Sequence, residues 1–145
     1  MKRTVTNEMK LRFSAISENE SFARVVISGF VMRLGVTPGT LADIKTAVSE
    51  AVTNSIVHAY KGQKDGKVEL SAKSYDDGTV IITVADKGCG IPDIELAREP
   101  FYTTDRESER SGMGFAIMES FMNRVRVSSV PDKGTRVVMT KKLGG

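Results

Sequence analysis

The sequence has very little cysteine, histidine or tryptophan: Cys89, His58 and no tryptophan among 145 residues. A single cysteine excludes an internal disulfide framework and is typical of a reducing, cytoplasmic compartment. One cysteine and one histidine leave too few ligands to favour a structural zinc site. No apolar run reaches the length of a membrane span, and none follows the basic N-terminal residues. We therefore expect neither a membrane helix nor a signal peptide.

An excess of either charge is also missing, because 21 basic and 18 acidic residues leave a net charge of +3. The basic residues are spread along the chain, so the charge pattern argues against a nucleic-acid-binding protein. The composition, 40% hydrophobic and 27% charged, is that of an ordinary globular protein. A chain of this length suits one domain with one core.

Hydrophobic periodicity and turn signals predict the order β-α-α-β-β-α-β-β. A capping box at Ser17 is expected to open the first helix, and Gly35 to end it. The strands are predicted at Met9–Phe13, Lys67–Tyr75, Thr79–Asp86, Arg124–Ser129 and Thr135–Lys141, and the helices at Ser17–Leu34, Leu41–Tyr60 and Gly114–Phe121. Antiparallel hairpins with helices on one face predict a two-layer α/β sandwich with a mostly antiparallel, mixed sheet.

The second predicted helix carries a polar stripe of Glu50, Asn54 and His58 at four-residue spacing. The core side of this helix is predicted to consist of Leu41, Ile44, Val48, Val52, Ile56 and Ala59. From Thr46 to Tyr60 the only formally charged residue is Glu50, whereas solvated helix faces normally carry more charge. The pattern alone leaves two interpretations open, a solvated stripe or one covered by a ligand.

If a ligand covers this stripe, the oxygens of Glu50 and Asn54 suit Mg²⁺, which is often held by one or two protein groups with phosphates and water. Glu50 could instead accept a proton beside a metal-bound phosphate. His58 is either a covalent phosphate acceptor or, as is more common at a helix end, a packing or capping residue.

A glycine turn follows the third predicted strand, with Asp86, Gly88 and Gly90 in the pattern D-x-G-x-G. Asp86 shares the parity of the strand's apolar residues, so we expect it on the helix-covered face, where it needs a partner. The exocyclic amine of adenine is a suitable donor, and the glycines would let the backbone approach a flat base. Thr135 is expected to face inward near Asp86 if their strands are neighbours. The glycine pattern also describes many ordinary turns.

A second glycine-rich element, from Ser111 through Gly112 and Met113 to Gly114, opens the last predicted helix. Free N–H groups at such a helix start bind anions, so a phosphate fits there. Arg110 could reach a terminal phosphate, or it could be a solvated arginine. The charged segment 98–112 suits a mobile lid over a nucleotide, or an exposed loop.

Together these motifs resemble the Bergerat-type ATP-binding fold of gyrase, Hsp90, histidine kinases and MutL. The segments "NEMKLRFSA", "NESFARV", "IKTAVSEAVTNSIVHAY" and "ERSGMGFAIMESFM" are similar to those of the anti-sigma-F factors of endospore-forming bacteria. The resemblance covers nearly the whole chain. It implies a cytoplasmic, homodimeric serine kinase that binds ATP and Mg²⁺. Such a kinase inhibits a sporulation sigma factor and phosphorylates a serine of an anti-anti-sigma protein.

The resemblance also implies a role for each matching residue. Glu50 would be the general base, Arg110 would act at the γ-phosphate, and Asn54 would be the Mg²⁺ ligand. Arg24 would lie on the partner-binding surface. The nucleotide-binding residues would be Asn54, Asp86, Gly88, Gly90, Thr104, Ser111, Gly112, Met113, Gly114 and Thr135.

Some positions depart from the family pattern or leave alternatives open. Residues 1–6 precede the familiar start, so we expect a flexible extension there, and Lys87 places a cation in the glycine turn.

The alternative functions are a sigma-binding module without kinase activity, a stress-response anti-sigma kinase, and the catalytic domain of a longer histidine kinase.

Overall fold

The computed structural model describes residues 3–59, 66–88, 114–131 and 133–143. The strands are β1 (Val5–Ser14), β2 (Lys67–Tyr75), β3 (Thr79–Asp86), β4 (Arg124–Val130) and β5 (Gly134–Lys142), and the helices are α1 (Glu18–Met32), α2 (Pro38–Asn54) and α3 (Gly114–Phe121). The order β-α-α-β-β-α-β-β confirms the prediction. No described helix has the length and apolarity needed to cross a membrane.

The five described strands form one sheet in the order β1-β2-β3-β5-β4, and each neighbouring pair is antiparallel. One row across it pairs Leu11 with Leu70, Leu70 with Val84, and Val84 with Val137. Because side chains alternate along a strand, this row and every second row on either side of it point to the same face of the sheet. The helices cover that face. The two-layer α/β sandwich is therefore confirmed.

The core lies between the sheet and the helices. Its largest fully buried side chains are Ile27, Ile44, Leu70, Ile82, Met118, Met139, Val31, Val48, Val52, Val68, Val80 and Val84. Burying each of these contributes about 1.5–3 kcal/mol. The predicted core face of α2 is confirmed at Ile44, Val48 and Val52. On the opposite face of the sheet, residues such as Arg12 and Arg136 are exposed.

The capping box predicted at Ser17 is wrong. The Ser17 side chain accepts no capping hydrogen bond, and its backbone is already helical at φ −55° and ψ −37°. The Glu20 carboxylate accepts a hydrogen bond from the Ser49 hydroxyl and pairs with Arg24 at 3.3 Å. Glu20 thus makes a tertiary contact between α1 and α2 instead of the local hydrogen bond of a capping box.

Residues 4–6, which the sequence places in an N-terminal extension, lie against the end of β2. The Thr4 N–H donates to Asp76 Oδ1 at 2.9 Å, and the Asp76 N–H donates to the Thr4 carbonyl at 2.9 Å. Thr6 then shares a hydrogen bond with Ser74 between their hydroxyls, at 2.8 Å. These contacts hold residues 4–6 to the β2 edge, and β1 begins at Val5.

The second helix begins three residues before the predicted position. The Thr37 hydroxyl accepts from the Thr40 N–H at 3.1 Å, and Pro38 occupies the first turn. Both are favoured at a helix start, because the side-chain oxygen satisfies a free N–H and proline has none to satisfy. At the other end the chain continues beyond Asn54 in one π-helical turn, Ser55–Ala59.

Candidate functional site

The start of α3 lies against the polar stripe of α2. A Cβ built on Gly114 would lie 3.2 Å from Asn54 Nδ2 and 3.4 Å from Glu50 Oε2. Glu50 and Asn54 are both half-buried. Three residues that the sequence predicts for one site therefore lie together, and the small size of Gly114 is what allows the close approach.

The π-helical turn at the end of α2 directs a buried serine to the sheet. The Ser55 hydroxyl donates to Asp86 Oδ2 at 2.7 Å, and Ser55 as a residue is 4% exposed. A π-helical turn carries one more residue than an α-helical turn, and such turns are frequent at functional sites. The turn thus links the α2 stripe to the end of β3.

Asp86 is held by several donors at the end of β3. Besides Ser55, the Gly88 N–H donates to its Oδ1 at 2.9 Å. Burial raises the pKa of Asp86 above its ordinary value of 3.8, and hydrogen bonds from Gly88, Ser55 and the Thr135 backbone partly offset this rise. Asp86 is therefore a fixed acceptor on the helix side of the sheet, able to receive a further donor from a ligand.

The start of β5 approaches Asp86 very closely. Thr135 is the register partner of Asp86 across the β3–β5 pair, so the two strands are neighbours, the condition on which the sequence placed Thr135 near Asp86. Gly134 has φ 129°, and a Cβ on it would lie 2.1 Å from the Asp86 carbonyl oxygen. The Thr135 hydroxyl shares a 2.9 Å hydrogen bond with Ser129, and Ser129 also donates to the Gly134 carbonyl at 3.0 Å. These bonds fix the backbone beside the carboxylate.

A cavity of about 850 Å³ borders this end of the sheet. Its described lining includes Asp86 and Thr135 together with Arg12, Lys67 and Arg136. Arg12 and Arg136 lie on the helix-free face of the sheet, so the cavity opens largely on the face opposite to the α2 stripe. Neither Glu50 nor Asn54 belongs to the described lining, so the cavity and the stripe are separate parts of the described surface.

Arg24, predicted for the partner-binding surface, lies between α1 and α2. Its guanidinium pairs with Glu20, whose carboxylate also accepts from Ser49, the neighbour of Glu50 in the chain. A smaller cavity of about 390 Å³ opens beside these side chains and Thr53. Arg24 is thus connected to the segment that carries Glu50 through two contacts.

Several predicted residues lie outside the described part of the chain. They are Gly90, Thr104, Arg110, Ser111, Gly112 and Met113, with the whole of the segment 98–112. The side chain of His58 is likewise not described. Their roles stay predictions.

Three serines that contribute to this arrangement were not predicted from the sequence: Ser49, Ser55 and Ser129. Ser55 had a recognisable signal, because it stands seven residues after Val48 and so occupies a core position with a hydroxyl. Ser49 and Ser129 had none, since their partners are distant in sequence.

The described residues suit a nucleotide. Asp86 offers an acceptor for a base, and the bare backbone of Gly114 leaves room beside Asn54 and Glu50. Within the described ranges no three His, Cys, Asp or Glu side chains form a metal cluster. Mg²⁺ commonly keeps several waters and uses substrate phosphates, so Asn54 as its one protein ligand fits that chemistry.

Substitution Gly114→Ala tests the close approach of α3. The new Cβ would press on the far ends of Asn54 and Glu50. These ends can shift, and alanine favours a helix more than glycine does, so the melting temperature should be kept or slightly raised. We expect nucleotide affinity to fall about tenfold because Asn54 is displaced. Isothermal titration with Mg-ATP and a thermal melt measure both, and unchanged affinity would contradict a role for this contact.

Comparison with known proteins places the chain in a family. A family described as "Histidine kinase-like ATPase domain" matches residues 13–141. The anti-sigma F factor of Geobacillus kaustophilus is 56% identical over 137 residues, which cover 94% of this chain and 93% of that protein. The anti-sigma F factor of Bacillus subtilis is 52% identical with the same coverage.

Among solved structures, the RsbU and RsbW domains of Rv1364c from Mycobacterium tuberculosis share the fold, with a TM-score of 0.70 at 22% identity. The match covers 95% of this chain and 33% of that chain. These findings lead to one assignment: the described residues form a five-stranded sheet under three helices, an ATPase family matches most of the chain, and relatives are more than half identical over nearly its whole length. The chain belongs to the anti-sigma F factors, within the histidine kinase-like ATPase domain family.

Proposed function

We propose that this protein is a cytoplasmic anti-sigma factor that inhibits a sporulation sigma factor. We also propose that it uses Mg-ATP to phosphorylate a serine of an anti-anti-sigma protein. The sigma-binding part is supported by the name that its relatives carry, anti-sigma F factor. The kinase part is supported above all by one observation, the half-buried Glu50 beside Gly114 and one helical turn from Asn54.

The nucleotide would be held at two places. At one, the Asp86 carboxylate would accept a hydrogen bond from the exocyclic amine of adenine, with Gly88, Gly90 and Thr135 shaping the base pocket. Guanine carries a carbonyl at that position and would be rejected, because two acceptors would face each other. At the other, Asn54 would bind Mg²⁺, and the phosphates would lie along Ser111, Gly112, Met113 and Gly114, with Thr104 and Arg110 nearby.

When bound, Mg-ATP would supply the phosphoryl group: a bond forms between the substrate serine oxygen and the terminal phosphorus, and the bond to the ADP oxygen breaks. Glu50 would accept the serine proton as that bond forms. Arg110 would offset negative charge on the transferring group. A protein that only binds a sigma factor needs no carboxylate at this place.

Two protein surfaces complete the proposal. Arg24 would contact the sigma factor or the anti-anti-sigma protein, and its ion pair with Glu20 keeps its guanidinium at the α1–α2 cleft. The active form would be a homodimer.

Transfer of labelled phosphate tests the kinase proposal. The protein is incubated with Mg²⁺, [γ-³²P]ATP and an anti-anti-sigma protein, and the product is examined for phosphoserine. Label on a serine is the expected result. ATP binding without label on the partner would instead identify a sigma-binding module that uses ATP as a structural ligand, and label on histidine would identify a histidine kinase.

Substitution Asp86→Asn tests the base pocket and separates binding from stability. The amide can accept from Gly88 through its oxygen and donate to the Ser55 hydroxyl through its nitrogen, so the fold is kept. The amide nitrogen would face the adenine amine, donor against donor, and ATP affinity should fall tenfold or more, about 1–3 kcal/mol. Titration with ATP measures this, and wild-type affinity would contradict the assignment.

The same variant has a predicted pH dependence. Because burial raises the pKa of Asp86 in the folded state, the folded wild-type protein is more stable when Asp86 is protonated. Its free energy of unfolding therefore falls as pH rises from 3.8 through the raised pKa. Asparagine removes this loss. The melting temperature of the variant relative to wild type should therefore be higher at neutral pH than at pH values below 3.8. A constant difference across this range would contradict the raised pKa.

A further inference from the structure

The fold gathers on one face of the β4–β5 hairpin several basic residues that the sequence spreads apart. On the helix-free face of the sheet, Arg124 and Arg126 of β4 and Arg136 and Lys142 of β5 are exposed. Exposed Lys133, in the turn between the two strands, lines the same cavity as Arg136 and so belongs to this surface. We call Arg124, Arg126, Lys133, Arg136 and Lys142 the basic track.

The basic track has one cation at each step along the hairpin. In the register of β4 and β5, Arg124, Arg126 and Arg136 occupy three successive cross-strand pairs of this face, and each is opposite a neutral residue. Lys142 extends the series by one step at one end, and Lys133 extends it at the turn. Because residues on the same face of a strand are about 6.6–6.8 Å apart, the track is a line of charges about 27 Å long.

The other half of the same face compensates its charges internally. Lys10 on β1 pairs with Glu69 on β2 at 3.8 Å. Lys73 on β2 pairs with its register partner Glu8 at 3.9 Å. Among the described residues, by contrast, no carboxylate forms an ion pair with any member of the basic track. Since like charges at neighbouring positions of a sheet are destabilising, the track is suited to a partner that supplies the missing negative charge.

Protection of the sheet edge explains only part of the track. β4 is at the end of the strand order in the described sheet, and charged residues on an edge strand prevent pairing with another chain. This accounts for Arg124 and Arg126. Arg136 and Lys142 lie on β5, which is paired with β3 on one side and β4 on the other, so they protect no edge. The continuation of the track onto an interior strand therefore favours a binding surface.

The neutral residues around the track favour a polypeptide over a nucleic acid as its ligand. The outward positions of β3, β4 and β5 carry no aromatic side chain on which a base could stack. Their uncharged side chains are small or β-branched, including Ile81, Thr83, Ala85, Ser128, Val138 and Thr140. An extended peptide repeats every two residues with the same spacing as the track, so acidic side chains at alternate positions would each meet one cation.

We propose that the basic track binds an extended acidic segment of a protein partner, with a carboxylate at every second residue along the β4–β5 hairpin. The track lies on the helix-free face of the sheet, whereas Arg24 lies in the cleft between α1 and α2. The two surfaces can therefore be occupied at the same time. This inference goes beyond the proposed function and does not depend on kinase activity.

Fluorescence anisotropy tests the proposal with a labelled peptide of alternating glutamate and threonine, about nine residues long to match the track. At about 0.15 M salt, wild type should bind it at least about threefold more tightly than a peptide of the same composition with contiguous glutamates. Arg126→Gln and Arg136→Gln should each weaken binding about threefold, and the double variant about tenfold. Both positions are exposed, so thermal melts should show that the variants keep the fold.

Lys73→Gln is the matched control, because it removes one positive charge from an exposed position of the same face, in the compensated half. It should leave peptide affinity unchanged. Absence of binding, equal affinity for the two peptides, or an equal loss with Lys73→Gln would overturn the proposal. So would a labelled oligothymidylate that binds more tightly than the peptide and is lost in the same variants, which would identify a nucleic-acid surface. The titrations contain no ATP, so their outcome is independent of the phosphate-transfer assay.

Discussion

Glu50→Gln should bind Mg-ATP with nearly wild-type affinity and lose phosphoryl transfer. Glutamine keeps the size of the side chain beside Gly114 and Asn54, so the site keeps its shape. An amide cannot accept the serine proton, and a general base typically contributes about 10²–10⁴-fold to the rate. We therefore expect kcat to fall by at least about 100-fold while the Kd for ATP changes less than about threefold, below 1 kcal/mol.

The measurement is single-turnover transfer of label to the anti-anti-sigma protein, alongside ATP titration. Glu69→Gln, a change of the same type on the opposite face of the sheet, is the matched control and should keep the wild-type rate. Transfer by Glu50→Gln at a near wild-type rate would refute Glu50 as the base. A parallel loss of ATP affinity would indicate that Glu50 holds the nucleotide.

Of the substitutions proposed, Gly134→Ala should cause the largest fall in the free energy of unfolding. Its φ of 129° lies in a region that L-residues rarely adopt, and the new Cβ would lie 2.1 Å from the Asp86 carbonyl oxygen and 2.8 Å from Lys87 Cα. Backbone atoms cannot move aside as a side chain can, so β3 and β5 would have to separate beside the base pocket. We expect a loss of about 2–4 kcal/mol in the free energy of unfolding.

Denaturant unfolding measures this loss, and the melting temperature should fall by about 10 °C. Gly39→Ala is the control: Gly39 lies in the first turn of α2 with open space around its Cβ position. Alanine there should change stability by less than about 1 kcal/mol, towards higher stability. Equal effects of the two substitutions would show that the approach of Gly134 to Asp86 is looser than described.

The sequence predicts the parts of the site that depend on local periodicity. Asp86 could be placed on the helix side of the sheet because a strand has a period of two residues, and Glu50 and Asn54 could be placed on one face because they are four residues apart. The order of the elements was predictable for the same reason. The β3–β5 pairing that brings Thr135 to Asp86 was only conditional, since hairpin signals do not determine which hairpins are neighbours.

The remaining parts depend on contacts between distant segments. No spacing rule brings Gly114 to within a few ångströms of Asn54, because that distance follows from the packing of α3 on α2. The capping box at Ser17 failed for a related reason, since Glu20 is engaged by Ser49, 29 residues away. Helical spacing marks Ser55 as a core position, but its partner Asp86 could not be predicted because it lies 31 residues away in the sequence.

The proposed function requires that one nucleotide site join Asp86 to Asn54 and Glu50. A crystal structure of the protein with Mg²⁺ and a non-hydrolysable ATP analogue tests it most directly. We expect that the adenine amine donates to the Asp86 carboxylate, that Mg²⁺ is bound by Asn54 Oδ1, and that the Glu50 carboxylate faces the terminal phosphate. Adenine bound away from Asp86, or Mg²⁺ bound without Asn54, would contradict it.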